Sequence, residues 1–181
     1  MENTWKIFVD LDGVLADFEK EFEKFDEGSI GNYMKTHDSS DLWKLIKEED
    51  PDYFINLDMK PDGKKLWNFI KEYNPTVLTR IPHSMKNATN DKKEWVKKHL
   101  GTGLKVLTTT GKKSKYIVDN GILIDDMDEN IKDWEKAGGS GIKHTSAETT
   151  IKKLKKLLNE PPKKEASYHK FAGISSIDEL I

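Results

Sequence analysis

IFVDLDGVLADF, residues Ile7 to Phe18, runs from apolar side chains into two carboxylates, Asp10 and Asp12, with Gly13 and a second apolar stretch directly behind. The first half has the short, Val/Ile-rich character of a strand buried on both faces. Carboxylates at such a place repel each other and lose hydration, so something must compensate them. Either they mark a solvated strand end, or they hold a cation and do chemistry.

Outward from this stretch, similar runs recur at WKIFVD (5–10), TVLT (76–79), LKVLTT (104–109), GILID (121–125) and, more weakly, GIKHT (141–145). Helical patterns lie between them. PDGKKLWNFIKEY (61–73) opens on Pro61, DKKEWVKKHL (91–100) is followed by Gly101, and DENIKDWEKA (128–137) by Gly138. TSAETTIKKLKKLL (145–158) starts with Thr145 and Glu148, a capping-box pair. Strand alternating with helix predicts an α/β fold, a Rossmann-like doubly wound parallel sheet. The interval after the first strand breaks the rhythm with ADFEKEFEKF (16–25), SSDLWKLIKEED (39–50) and PDYFINL (51–57), and reads as a small helical insert. The expected organisation is therefore a core of residues 1–15 and 60–158, a cap of residues 16–59, and a linker and tail of residues 159–181. The tail carries Pro161 and Pro162, and Ser176 and Glu179 are placed to cap a last turn.

The chain has 181 residues, enough for one domain with a real core. Its 30 Lys+Arg nearly cancel 32 Asp+Glu, which gives no bias toward nucleic acid or a membrane surface. There is no cysteine, which excludes disulfides, thiol catalysis and cysteine-based zinc sites and fits a reducing cytoplasm. No signal peptide is expected, and no apolar run approaches the roughly 20 residues that span a bilayer. His37 and His83 have no partners at metal-ligand spacing. The basic residues are lysines with one exception, Arg80, and an arginine kept in such a composition is a candidate for bidentate recognition of phosphate or carboxylate.

In open α/β sheets ligands sit at the carboxyl ends of the strands. The first predicted strand ends at Asp10, with Asp12 beyond it; the second ends at Thr79, followed by Arg80. The third leads into TTTGKKSKY with Lys112, Lys113 and Lys115, and the fourth ends in Asp125 and Asp126. Singly, each has an ordinary reading: a turn for Asp-x-Asp-Gly, a helix cap for Asp125-Asp126, a strand residue for Thr79, solvated lysines after the third strand. Jointly they bring carboxylates, a hydroxyl and an ammonium to one sheet edge. Asp10 and Asp125 would share Mg²⁺, Thr79 would donate to a phosphoryl oxygen, and a lysine would neutralise developing charge.

DLDGVLADF, VLTR, GKKSKY and ILIDD together resemble, in order and spacing, the four motifs of the haloacid dehalogenase superfamily of phosphohydrolases, and within it the 5′(3′)-deoxyribonucleotidase branch. The likeness extends over residues 5–158 and includes PDYFINLDMKPDGKKLWNFIKEYNPTVLT and DKKEWVKKHL. It implies a Mg²⁺-dependent phosphomonoesterase acting on (deoxy)ribonucleoside 5′-monophosphates. Asp10 would attack phosphorus and Asp12 would act as acid, then base. Asp10, Asp125 and the backbone carbonyl of Asp12 would hold the metal, with Asp126 in support. Thr79 and Lys115 would hold the phosphoryl group, Lys115 being chosen because Asp125 follows it by ten positions, as in the family. Two positions depart from that branch: Arg80 stands where a small hydroxyl residue is usual, and Met127 where an arginine is usual. Arg80 is accordingly expected to take over a phosphate contact.

The cap should select the substrate, with Phe18 and Trp43 the leading aromatic candidates for stacking on a base and Tyr33, Tyr53 and Phe54 behind them. A nucleoside monophosphate is the expected partner, and the resemblance leaves a homodimer open. The alternative substrates are another phosphate ester, such as a sugar phosphate or a nucleic-acid end; a non-catalytic phosphate-binding or regulatory role is a further alternative. A receiver-type phospho-switch fits less well, because there the acceptor aspartate lies on a middle strand and the lysine comes last.

Overall fold

Along each predicted strand, side chains alternate between two buried faces, and a computed structural model describing residues 5–25 and 28–159 shows what covers each face. Strands β1 (Lys6–Val9), β2 (Thr76–Arg80), β3 (Val106–Thr109), β4 (Gly121–Asp125) and β5 (Ser140–Lys143) form one sheet. Its order is β3-β2-β1-β4-β5, and every neighbouring pair is parallel. Four short helices follow β1: α1 (Phe18–Phe22), α2 (Ile30–Tyr33), α3 (Ser39–Glu49) and α4 (Tyr53–Asn56). Then come α5 (Pro61–Ile70), α6 (Ala88–His99), α7 (Asp128–Lys136) and α8 (Ala147–Asn159).

Ile7, Val9, Val77, Ile122, Ile124 and Ile142 face one side and pack with Leu66 and Ile70 of α5, Trp95 and Val96 of α6 and Leu154 of α8. The intervening Phe8, Leu78 and Leu123 face the other side, where Ile131 and Trp134 of α7 close a second cluster. Each such aliphatic side chain, once buried, contributes about 1.5–3 kcal/mol, which favours this register over a one-residue slip. Trp134 is fully buried, donates Nε1 to the Gly121 carbonyl at 3.1 Å, and tilts against Phe8 at 5.1 Å between ring centroids.

The expected strands and main helices are present, with informative differences at their ends. The 61–73 helix stops at Ile70 and tightens into a 3₁₀ turn, Lys71–Tyr73, closed by Asn74 at φ 48°. The helix before β3 starts at Ala88, three residues earlier than its charged stretch suggested. At the start of α8 the capping oxygen belongs to Ser146, which accepts from Thr149 N at 3.2 Å, rather than to Thr145. Ala147 N is taken by Asp62 Oδ2 of α5 at 2.6 Å, a cap from another helix that local sequence does not announce. The expected tail turn at Ser176 and Glu179 lies outside the described residues.

The helical segment after β1 leaves and rejoins the sheet edge at one place. Ala16 bridges both Asp12 and Met59, Asp17 N donates to the Asp58 carbonyl and Lys60 N to the Leu15 carbonyl, both at 2.8 Å. Its side chains do not form a separate core: Phe22, Leu42, Ile46, Tyr53 and Phe54 belong to the same cluster as the sheet. Trp95 Nε1 of α6 donates to the Leu57 carbonyl at 2.7 Å and fastens the segment's exit.

Gly63 of α5 sits against this clasp, where a Cβ would lie 2.8 Å from Leu15 Cα and from the Val14 carbonyl oxygen. Alanine is worth up to about 1 kcal/mol more than glycine inside a helix, but forcing backbone apart costs about 1–3 kcal/mol, so the clash decides the sign. Gly63→Ala is expected to lower Tm by several degrees in a thermal melt, whereas a rise in Tm would show that α5 can shift away.

Candidate active site

In the order β3-β2-β1-β4-β5 the chain moves outward from β1 to β3 and then returns to β4 on the other side of β1. The crevice beyond the ends of β1 and β4 is therefore the topological switch point at which such sheets bind ligands. Asp10 follows β1 and Asp125 ends β4, and the Asp10 N to Ile124 carbonyl bond of 3.0 Å locks the two strand ends together. Both carboxylates are buried, as is Thr79 at the end of β2.

A lysine lies between the two aspartates, and it is Lys113. Its ammonium is 2.8 Å from Asp10 Oδ2 and 2.6 Å from Asp125 Oδ2, and its side chain is fully buried. Lys115, which the family spacing favoured, is exposed. The reason is local geometry. Residues Lys113–Tyr116 form a 3₁₀ turn, in which residues three apart share a face. Tyr116 turns in and donates its hydroxyl to the Thr108 carbonyl at 3.3 Å, so Lys113 turns in with it and Lys115 turns out. Burial works to lower the Lys113 pKa, but the two carboxylates outweigh it, and the amine is held charged, above its ordinary value.

Asp125 is oriented from two sides. Its Oδ1 accepts from Met127 N at 2.9 Å and from Asn130 Nδ2 at 3.0 Å, and its backbone carbonyl accepts from His144 N. Asp10 Oδ1 accepts from Leu11 N at 2.8 Å. Asp126 is half-buried beside Gly13, whose φ of +75° admits only glycine without strain and where a Cβ would collide with the Asp126 carboxylate. Burial, then the charges of Asp10 and Asp125, push the Asp126 pKa up to about 7.

Asp12 meets a second buried lysine, Lys92 of α6. The Lys92 ammonium donates to Asp12 Oδ2 at 2.5 Å, to Thr79 Oγ1 at 2.9 Å and to the Arg80 carbonyl at 2.7 Å, and the Phe54 ring centroid lies 4.4 Å from it. Asp12 Oδ1 is buried without a hydrogen-bond partner among the described residues. Burial raises the Asp12 pKa, with Lys92 opposing and Asp10 reinforcing that shift. The Arg80 side chain is exposed at the same sheet edge.

Phe18 and Trp43 are both half-buried and meet edge-on at 5.9 Å; Phe18 also meets Tyr53 at 4.9 Å. The Tyr53 hydroxyl donates to the Phe18 carbonyl at 2.6 Å. The aromatic group thus lies on the Lys92 side of the crevice, with Phe54 as its contact to the ammonium.

Sequence reasoning missed Lys92 and Asn130, although both left a trace. Each interrupts an apolar helix stripe: Lys92 stands among Ala88, Trp95 and Val96, and Asn130 beside Ile131 and Trp134. A polar group at such a position is buried and needs a partner.

Carboxylate oxygens of Asp10, Asp125 and Asp126 lie within 4.8 Å of one another. Three carboxylates balanced only by Lys113 leave an excess of about two negative charges when all are ionised, and hard oxygen donors with that excess fit a divalent cation.

Solved structures share the fold, two hydrolases among them. A hydrolase from Streptococcus pneumoniae TIGR4 superposes with a TM-score of 0.53 at 15% identity, over 84% of this chain and 99% of its own. A haloacid dehalogenase-like hydrolase from Xanthomonas campestris gives 0.52 at 10% identity, over 81% and 85%. No curated protein matches the sequence. A family model that matches most of the chain makes it a phosphoric monoester hydrolase of the haloacid dehalogenase superfamily, in keeping with the sheet order and the charged groups gathered at its switch point. The family model described as 5′ nucleotidase, deoxy (pyrimidine), cytosolic type C protein (NT5C) matches residues 3–153, and the chain belongs to that family. No helix among the described residues is long and apolar enough to cross a membrane.

The raised carboxyl groups give the metal-free protein a defined pH response. A carboxyl whose pKa is near 7 when folded and near 3.8 when unfolded binds more protons in the folded state, so its ionisation destabilises the fold. Without metal, the Tm of the wild type relative to Asp126→Asn should fall as pH rises from about 4 to about 7. Added Mg²⁺ should raise Tm more at pH 7.5 than at pH 5. A difference between the two proteins that does not change over this range in EDTA would contradict the assignment.

Proposed function

We propose that the protein hydrolyses (deoxy)ribonucleoside 5′-monophosphates through an aspartyl-phosphate formed on Asp10. The observation that carries this reading is the pairing of two carboxylates with two buried ammoniums at one switch point, Asp10 with Lys113 and Asp12 with Lys92. A Mg²⁺ held by Asp10, Asp125 and the Asp12 carbonyl, with Asp126 nearby, would supply charge neutralisation and orientation for the phosphoryl oxygens.

Asp10 attacks phosphorus in line, and the bond to the leaving ester oxygen breaks as a proton from Asp12 reaches that oxygen. The Asp12 carboxylate then takes a proton from water, whose oxygen attacks the phosphoryl group and returns Asp10 with release of inorganic phosphate. The raised Asp12 pKa suits a group that must carry a proton in one half of the cycle and accept one in the other. Thr79 donates its hydroxyl to a phosphoryl oxygen and Lys113 offsets charge as it builds, the part sequence spacing had given to Lys115. Arg80, exposed one residue beyond Thr79, contacts the phosphate in place of an arginine absent at Met127. Phe18 and Trp43 offer ring surface to a base. Family membership supports the nucleotide reading and a cytoplasmic setting. A sugar phosphate or a nucleic-acid end is the alternative substrate, with no particular contact to favour it.

Phosphate release from nucleoside monophosphates, sugar phosphates and phosphorylated oligonucleotides tests this. Turnover should be fastest on nucleoside 5′-monophosphates, and be abolished by EDTA and by Asp10→Asn. Turnover on none of these esters would remove the reading. Lys113→Met should cost at least about 10²-fold in kcat, whereas Lys115→Met should stay within about threefold; equal losses would return the role to both lysines. Phe18→Ala should raise KM for nucleotides while leaving small non-aromatic phosphate esters unaffected, and an equal rise on both would take Phe18 out of base recognition.

A further inference from the structure

The end of the sheet carries more positive charge than the chemistry assigned to it uses. Lys113 is taken by Asp10 and Asp125, Lys92 by Asp12, and Lys112 by Asp133 at 2.8 Å. Arg80 and Lys115 are exposed, and among the described residues neither lies within ion-pair distance of a carboxylate. Strand alternation gathers them on one face. Val77 packs on the α6 side and Thr79 meets Lys92 there, so Leu78 and Arg80 point to the opposite side. Leu107 packs on that opposite side too, so Thr109, the register partner of Arg80, points the same way. Lys115 reaches this place from the 3₁₀ turn: a Cβ on Gly111 would lie 3.6 Å from Lys115 Nζ and 3.9 Å from Thr109 Oγ1. Thr109 Oγ1 already accepts from Gly111 N at 3.1 Å, which leaves its O–H to donate.

We propose that Arg80, Thr109 and Lys115 form a second phosphate subsite, and that the preferred substrate is a nucleotide bearing a further phosphate monoester, a nucleoside 3′,5′-bisphosphate. The inference rests on the nucleotidase reading and narrows its substrate class, the 3′ hydroxyl being the one a deoxyribose offers. In that reading the reacting phosphoryl oxygens meet the metal, Thr79 and Lys113, with Arg80 at their edge, and Thr109 and Lys115 have no oxygen left to bind. With Val9 opposite Val77 in the β1–β2 register, Arg80 stands two residues farther out than Asp10, roughly 7 Å along the strand. A guanidinium at that height, with five N–H donors, reaches the reacting phosphate on one side and a second phosphate on the other. The aromatic rings lie on the Lys92 side of the crevice, so a base stacked there leaves the Arg80 side to the far edge of the sugar. Charge favours a monoester over the diester of a nucleic-acid end. Two unpaired cations match the nearly two negative charges of a monoester near neutral pH, whereas a diester carries one.

The test is kcat/KM, with Mg²⁺, for a deoxynucleoside 5′-monophosphate, the matching 3′,5′-bisphosphate and a 5′-phosphorylated oligonucleotide. The wild type should favour the bisphosphate over the monophosphate about tenfold, through KM and with kcat little changed. Lys115→Met should bring that ratio to within about twofold of one, and Thr109→Val should lower it. Lys105→Met, which removes an exposed charge just before the other end of β3, should keep it. A ratio that survives Lys115→Met would overturn the proposal, and a ratio lost equally in Lys105→Met would replace it with general charge attraction. Equal kcat/KM for the two nucleotides in the wild type would overturn it as well, and so would preference for the oligonucleotide over the bisphosphate. Each of those results leaves a working phosphatase, whereas wild-type protein inactive on every ester would remove the reading on which this inference rests.

Discussion

Repulsion among carboxylates brought to one end of a parallel sheet is the constraint around which the rest of this structure is arranged. Asp10 and Asp125 end adjacent strands because β1 and β4 pair, and Asp126 and Asp12 come with them as chain neighbours. Drawn out of water, such groups repel each other and favour protonation, and the upward push on Asp126 is the trace of that stress. Lys113 and Lys92 answer it from opposite sides, each fully enclosed. Removing one partner of a buried charge pair costs about 3–5 kcal/mol in general, so these lysines are bound into the fold.

The two cations come from differently built supports. Lys113 opens a short 3₁₀ turn between β3 and β4, a segment anchored by the inward Tyr116. Lys92 projects from the middle of α6, whose Trp95 ties down the return of the helical insert. The helix that steadies Asp12 is thus also the helix that holds the aromatic layer in place. Phe54 connects them directly through its contact with the Lys92 ammonium. Placement of the ring surface and placement of Asp12 share one rigid element.

Much of this was legible in the sequence, for a physical reason. Buried parallel strands are short and continuously apolar, so their ends are sharp, and in this sheet architecture the ends are where ligands bind. Asp10, Thr79 and Asp125 could be read that way because strand periodicity alone puts them there. Family spacing favoured Lys115, whereas Lys113 is the lysine buried between Asp10 and Asp125, because the choice depends on the three-residue period of a turn too short to show a pattern. Lys92 was hidden by composition: in a helix written DKKEWVKKHL, one inward lysine among four looks like the solvated rest until the stripe Ala88, Lys92, Trp95, Val96 is drawn. The Asp62 cap on α8 joins residues 85 positions apart, and nothing local to either foretells it.

The clasp at Ala16 and Met59 has a consequence for how this protein can change. Departure and return of the helical insert are paired across a single bridge, so whatever lies between them is, to the sheet, one loop with fixed ends. Doubling the length of such a loop adds only about 0.6 kcal/mol of closure entropy. Added length between these ends therefore costs the strand ends little, provided Phe22, Leu42, Ile46, Tyr53, Phe54 and Leu57 still fill the core they share with the sheet. The outer turns of this segment can then change length while the strand ends keep their places.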